Sequence, residues 1–353
     1  MGFDMNAIPA SVLVLAAVFP AQAQVAPKLL DYQTIEHGYK VAGVPVGGLS
    51  DLSLDKATGR YLAISDARGE DGPVRFYEVA LKVEDGKLSK PDLFQVNSLT
   101  EPGGNPFKSG DVDPEGIAVA ADGKIYWSSE PKPPNLPKVF VSSRDGTGMS
   151  EIELPTAYRP GPGHGVMENL GFEGLALTED GQTLVVMTEN GLAQDGGVAT
   201  LEAGSLVRIL MIDTATLKPK AEFAYLTDPI PTAPISGGAD NGVSAAMVMP
   251  DGRLAVVERS FAQGPGVSIR VYLVDTSMAT DISGSETAQG ATPATKVPWI
   301  VMTSASLGMK LSNVEGIAFG PEIDGAQTLL MVTDDNFSMN QDTMFMLFKL
   351  PNF

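Results

Sequence analysis

The sequence has 353 residues, 43% of them hydrophobic, and carries 24 Lys and Arg against 43 Asp and Glu, a formal net charge of -19. That length and apolar content can bury a sizeable core within one all-β domain. The acidic balance argues against nucleic acid or an anionic membrane surface as partner, since both need a basic footprint, and a chain without cysteine has neither a disulfide framework nor thiol chemistry.

Ile8 to Phe19 is an apolar run too short to span a bilayer, and it ends at Ala21-Gln22-Ala23, an A-x-A cleavage pattern, with Gln24 next. No Lys or Arg precedes the run. Residues 1–23 are nevertheless expected to be a signal peptide cleaved near Ala23, with residues 24–353 forming one domain in the periplasm or outside the cell. No other segment is apolar enough to cross a membrane, so no membrane insertion is expected.

Leu29 to Ile35 reads as a strand. A hairpin pattern then begins and recurs. Its clearest copy is Asp113 to Glu130, DPEGIAVAADGKIYWSSE: an acidic-Gly step, a run of small and branched apolar residues, an Asp-Gly turn, and a second apolar run closed by another acid. Asp-Gly between apolar runs signals a tight hairpin with φ > 0 at both central residues. Glu173 to Glu189 and Glu315 to Asp335 repeat the pattern, and Asp51 to Asp66 and Ser244 to Arg259 are weaker copies. The first position lies eight residues before the turn glycine in four copies, and successive first positions are 64, 58, 71 and 71 residues apart. Unrelated hairpins in a sandwich would not keep a fixed offset.

Pro73 to Glu84, Lys138 to Ser143, Ser205 to Asp213 and Ser268 to Asp275 read as third strands, and loops rich in Pro and Gly fall between the repeats without breaking their phase. The fold expected is all-β, a single β-propeller with five blades. Six blades would follow if the 71-residue intervals hid further strands. The last repeat has 38 residues after Glu315, room for about three strands. The strand near Leu30 is therefore expected to complete the last blade and close the ring, which removes two free sheet edges.

First strands of blades line the channel, so Asp51, Glu115, Glu173 and Glu315 would converge near one mouth. Converging carboxylates repel and need a cation, and a hard one with oxygen ligands, Ca²⁺ first, is expected. Asp113, Asn169, Asn241 and Asn313 could add oxygens. The competing reading is structural: the glycine permits a tight turn and the acid binds nearby backbone N–H groups. A second acidic set, Asp66, Glu130, Glu189, Glu258 and Asp334-Asp335, ends the second strands and should return to the same end of each blade. Arg259, and Arg68 near Asp66, could hold an anion or neutralise these acids. His164 sits in a Gly-rich loop, and zinc-histidine motifs, a P-loop and a G-x-S-x-G elbow are absent. Met339 to Met346 reads as core filler.

Gly47-Gly48-Leu49-Ser50-Asp51, Asp113-Pro114-Glu115-Gly116, Gly171-Phe172-Glu173-Gly174-Leu175-Ala176, Arg253-Leu254 through Glu258-Arg259, Asn313-Val314-Glu315-Gly316 and Asp334-Asp335-Asn336-Phe337 resemble, in order, the phytase-like family also called "esterase-like activity of phytase". The resemblance runs from about Gly47 to Phe348. It implies an exported bacterial β-propeller, distantly similar to calcium-dependent phytases and to lactonase and phosphotriesterase propellers. Those lactonase relatives place a metal-binding Glu in a Glu-Gly step, like Glu115, Glu173 and Glu315.

Two functions remain open at this level. One is a metal-dependent hydrolase of phosphate or carboxylic esters, with Asp51, Glu115, Glu173 and Glu315 on the metal. Glu115 or Glu173 would serve as general base and Arg259 would complete the catalytic set. The other is a non-catalytic propeller that binds a ligand or partner. A small-molecule substrate and a monomeric chain are expected.

Overall fold

The computed structural model describes residues 26–130 and 136–351. The expected signal peptide lies outside the described residues, as does most of the Pro-rich loop after Glu130. Five four-stranded antiparallel sheets follow one another as blades, so five blades is the outcome and the six-blade alternative falls away. Blade 1 is Leu49–Asp55, Arg60–Ser65, Arg75–Ala80 and Asp92–Ser98. Blade 2 is Pro114–Val119, Ile125–Ser129, Lys138–Ser142 and Ser150–Ile152. Blade 3 is Phe172–Leu177, Thr183–Thr188, Leu206–Asp213 and Lys218–Leu226. Blade 4 is Ala239–Val248, Leu254–Ala262, Gly266–Asp275 and Thr295–Thr303. Blade 5 takes Asn313–Ile323, Ala326–Asp334 and Thr343–Lys349 from the end of the chain and its outermost strand, Lys28–Ile35, from the beginning. That strand pairs with Thr343–Lys349 from Lys28↔Lys349 to Ile35↔Thr343, the closure expected from the shortness of the last repeat.

Each first strand touches the first strands of both neighbouring blades, so the five line a central channel. The core is correspondingly divided into five apolar seams, one between each pair of blades. Trp127, Phe140 and Ile117 meet Leu62 and Phe76 between blades 1 and 2, and Phe345 and Leu330 meet Leu49 and Tyr77 between blades 5 and 1. Met331, Met344 and Met346 fill the seam between blades 4 and 5, the core role expected of that tail, while Met339 is exposed.

The hairpin turns differ from expectation in one respect. A left-handed backbone at both central residues occurs at Asp324-Gly325, where the loop has two residues between Ile323 and Ala326. In blades 2 and 4 the loop is one residue longer: Gly123 N–H donates to the Ala120 carbonyl at 2.9 Å, and Gly252 N–H to Met249 at 2.9 Å. There the glycine alone is left-handed, and the aspartate keeps an ordinary φ and accepts from the N–H two residues on, Asp122 from Lys124 at 3.0 Å and Asp251 from Arg253 at 3.1 Å. An aspartate can brace a turn through its side chain without entering the left-handed region itself.

Every first strand carries a β-bulge near its start. The residue without a direct partner is Ser50 in blade 1, Glu173 in blade 3, Ser244 in blade 4 and Glu315 in blade 5; in blade 2 Glu115 and Gly116 share the bulge. A bulge interrupts the alternation of the strand and re-aims a side chain. The glycine after the glutamate has its own structural reason: a Cβ on Gly116 would stand 2.5 Å from Leu175 Cβ of the next blade.

Candidate metal centre

The five bulges at one mouth of the channel are joined by residues of the second strands or just beyond them. The ladders pair Ser65, Ser129, Thr188, Glu258 and Thr333 with the positions just before the bulges. The next residue along, facing the mouth, is Asp66, Glu130, Glu189, Arg259 and Asp334. Glu115, Glu173 and Glu315 from the bulges and all five of these residues line a cavity of about 480 Å³, walled by eight carboxylates, two arginines, Arg68 and Arg259, and the amides of Asn169, Asn190, Asn241, Asn313 and Asn336.

Glu115, Glu173, Glu315 and Arg259 are thus brought together as the sequence suggested. Asp51 is not. It matches the glycine of the other repeats rather than the glutamate. Its carboxylate accepts from Leu52 N–H at 2.7 Å and, in the next blade, from Ile117 N–H at 2.9 Å, stapling blade 1 to blade 2. Blade 1 has a four-residue turn between Asp55 and Arg60, so counting back eight from Gly59 lands one position too far along. The same register displaces Glu258, which points between blades 3 and 4. There it accepts from Tyr225 OH at 2.5 Å, Asp228 N–H at 2.9 Å, Asn241 Nδ2 at 3.0 Å and Lys296 Nζ at 2.7 Å. His164 is exposed and bridges the Arg159 carbonyl at 3.0 Å and Glu286 at 3.1 Å, away from the cavity.

Two groups of three carboxylates have ligand oxygens within 4.8 Å of one another: Asp113, Glu115 and Glu130, and Glu130, Glu173 and Glu189, all five residues buried. Glu130 is common to both and is held by the Gly171 N–H. Arg68 Nη2 pairs with Asp113 at 2.6 Å. Arg259 spans Glu189 at 3.2 Å, Asp240 at 3.5 Å and Glu315 at 4.0 Å. Glu115 and Glu173 are 6% and 8% exposed and make neither a hydrogen bond nor an ion pair among the described residues.

This crowding shows in the acidities. Burial, then the charges of Glu173, Glu130 and Asp113, pushes the Glu115 carboxyl well above the usual range; burial, then Glu130, Glu189 and Glu315, does the same to Glu173. Burial and the neighbouring acids raise Asp66 and Glu130 to about 8, and burial chiefly raises Glu189 and Asp334 to about 7. Burial works against the charge of Arg259, but Glu189, Glu315 and Asp240 outweigh it and hold the guanidinium protonated. A site that offers buried carboxylate and amide oxygens, with neither histidine nor cysteine in its described lining, fits a hard divalent cation such as Ca²⁺.

Gly171 makes the shared position possible. A Cβ there would come within 2.3 Å of Glu130 Cβ. Gly171→Ala should therefore displace Glu130, cost about 1–3 kcal/mol in stability and weaken any response to calcium, as read by thermal melts with and without the ion. Gly238, with nothing within 4 Å of its Cβ position, is the matched control.

The fold and the cavity define a five-bladed propeller with a carboxylate-lined channel mouth. The chain belongs to the phytase-like family described as "Esterase-like activity of phytase", whose model matches residues 44–337. An "Uncharacterized secreted protein" of Arthroderma benhamiae is 26% identical over 216 residues, 51% of this chain and 41% of that protein, so the match spans about two fifths of the relative's length. Similar solved structures include a calcium-binding protein, regucalcin, from Agrobacterium tumefaciens, 11% identical with a TM-score of 0.39 over 93% of this chain and 96% of that one. An α-L-arabinofuranosidase from Fusarium graminearum is 12% identical with a TM-score of 0.38, over 93% of this chain and 98% of that one. Among the described residues no helix is long and apolar enough to cross a membrane.

Proposed function

We propose that the carboxylate-lined mouth binds a divalent cation, calcium first, and that the protein is a hydrolase of phosphate or carboxylic esters acting there. The observation that carries this reading is the pair Glu115 and Glu173, buried carboxylates without a protein partner, each a member of one of the two carboxylate triads. A divalent cation bound here would supply Lewis-acid polarisation of an ester oxygen and acidification of water. Glu115 or Glu173, each a buried carboxylate in the wall of this cavity, would take up a proton as general base. Arg259 and Arg68 would balance anionic charge at the rim. Two arginines against eight carboxylates suit a small ester better than a dense polyanion.

Arg259 is engaged by Glu189, Asp240 and Glu315, which favours a second reading: a non-catalytic propeller whose cation serves ligand binding. The A-x-A pattern near Ala23 and the secreted relative support residues 1–23 as a signal peptide and a periplasmic or secreted domain thereafter. Assays on aryl phosphate and aryl acetate esters, after chelation and with calcium restored, separate the two readings. Turnover should depend on the cation and fall about 100-fold or more in Glu173→Gln. Hydrolysis of neither ester under any divalent ion would leave the binding role.

A further inference from the structure

We infer that the channel mouth has two adjoining cation seats joined at Glu130, a proposal that rests on the cation-binding reading above. The seats are products of the repeat. Blade 2 contributes a bulge glutamate, Glu115, and a post-strand acid, Glu130, and Asp113 completes that triad. Blade 3 contributes the equivalent Glu173 and Glu189, and Glu130 of the preceding blade completes the second triad. Each seat also holds one side chain more than nine-tenths buried and without a protein partner, Glu115 in the first and Glu173 in the second. One cation would satisfy one of these and leave the other stranded, and a buried unpaired carboxylate is costly.

The flanks match as well. Asp113 is paired with Arg68 at 2.6 Å and Glu189 with Arg259 at 3.2 Å, so each triad has one arm already neutralised. The series stops at blade 4 for a visible reason: Ser244 stands at the bulge and Arg259, within the second strand, at the position of the acids. The guanidinium there reaches Glu189, Asp240 and Glu315, taking the place a third cation would fill. Gly171, whose N–H holds Glu130, fixes the shared ligand between the two seats.

Equilibrium dialysis of the chelated, full-length protein against calcium alone tests this. Two ions per chain are expected. Asp113→Asn and Glu189→Gln should each reduce the count to one, and Glu130→Gln should weaken both sites by about tenfold or more. Melting curves in chelator check that the variants fold, since Asp113→Asn and Glu189→Gln also take an ion-pair partner from Arg68 and Arg259. One ion per chain, weakened by all three substitutions, would overturn the two-seat arrangement and leave a single-cation hydrolase standing. No bound calcium would overturn both.

Discussion

Stripped of divalent cations, the protein should lose stability as the pH rises from about 4 to about 8, and calcium should restore it. Folding raises Asp66 and Glu130 to about 8 and Glu189 and Asp334 to about 7, burial being the largest cause in each. Unfolded, the same groups titrate near 4. Below that pH both states hold their protons and no stability is lost. Between the two values the unfolded chain has released protons that the folded one retains, so each step up in pH favours unfolding, by about 1.4 kcal/mol per unit for each such proton. Above about 8 the loss is complete for these groups. Paired surface carboxylates give the opposite trend. A cation at a hundredfold excess over its Kd should return about 2.7 kcal/mol per seat. Melting temperatures at pH 4, 6 and 8, in chelator and in calcium, provide the check. In chelator at pH 8, Glu173→Gln should raise the melting temperature by relieving repulsion. Curves indifferent to pH, chelator and calcium would remove the cation from the account.

Deleting residues 27–36 should drive the protein into aggregates. Lys28–Ile35 covers the edge of Thr343–Lys349, and Ile35 joins the seam between blades 5 and 1. The strand is also pinned sideways: Gln33 Nε2 donates to the Leu88 carbonyl at 2.8 Å, and Asp31 accepts from Leu88 N–H at 2.9 Å. Its loss bares an edge bearing Met344, Phe345, Met346, Leu347 and Phe348, a template for pairing with another chain. At about 1 kcal/mol net per hydrogen bond the ladder alone is worth several kcal/mol. Size-exclusion chromatography should show aggregate in place of the parent's elution peak. A synthetic peptide of residues 27–36 supplied in trans should recover part of that peak; a deletion variant that elutes and melts like the parent would show that closure is dispensable.

The blades were legible in the sequence because Gly123, Gly181 and Gly252 mark turns that little else can form, and because the short last repeat required a strand from elsewhere. The site was legible only in part. Glu115, Glu173, Glu315 and Arg259 follow from the acidic-Gly step and the end of the second strand, whereas Asp51 and Glu258 were misplaced by one residue. Strand side chains alternate with period two, so a one-residue error in register sends a group to the opposite face. The longer blade 1 turn moved Asp51, and in blade 4 Arg259, not Glu258, stands where the other blades place their mouth-facing acid. Glu130, the shared carboxylate, was visible as one acid of the second set, but its special place depends on its closeness to Gly171 in the next blade, which no spacing within a repeat encodes.

The closing pair also determines how the ring answers to force. Lys28 lies opposite Lys349, so the two ends of blade 5 leave the same edge side by side. Tension that draws them apart loads the Lys28↔Lys349 pair first and then each successive pair, as a zipper opens, rather than sharing the load across the whole ladder. A domain tethered at both ends would yield there at low force, one rung at a time. Tethered at one end only, it would feel no such load and keep its ring intact.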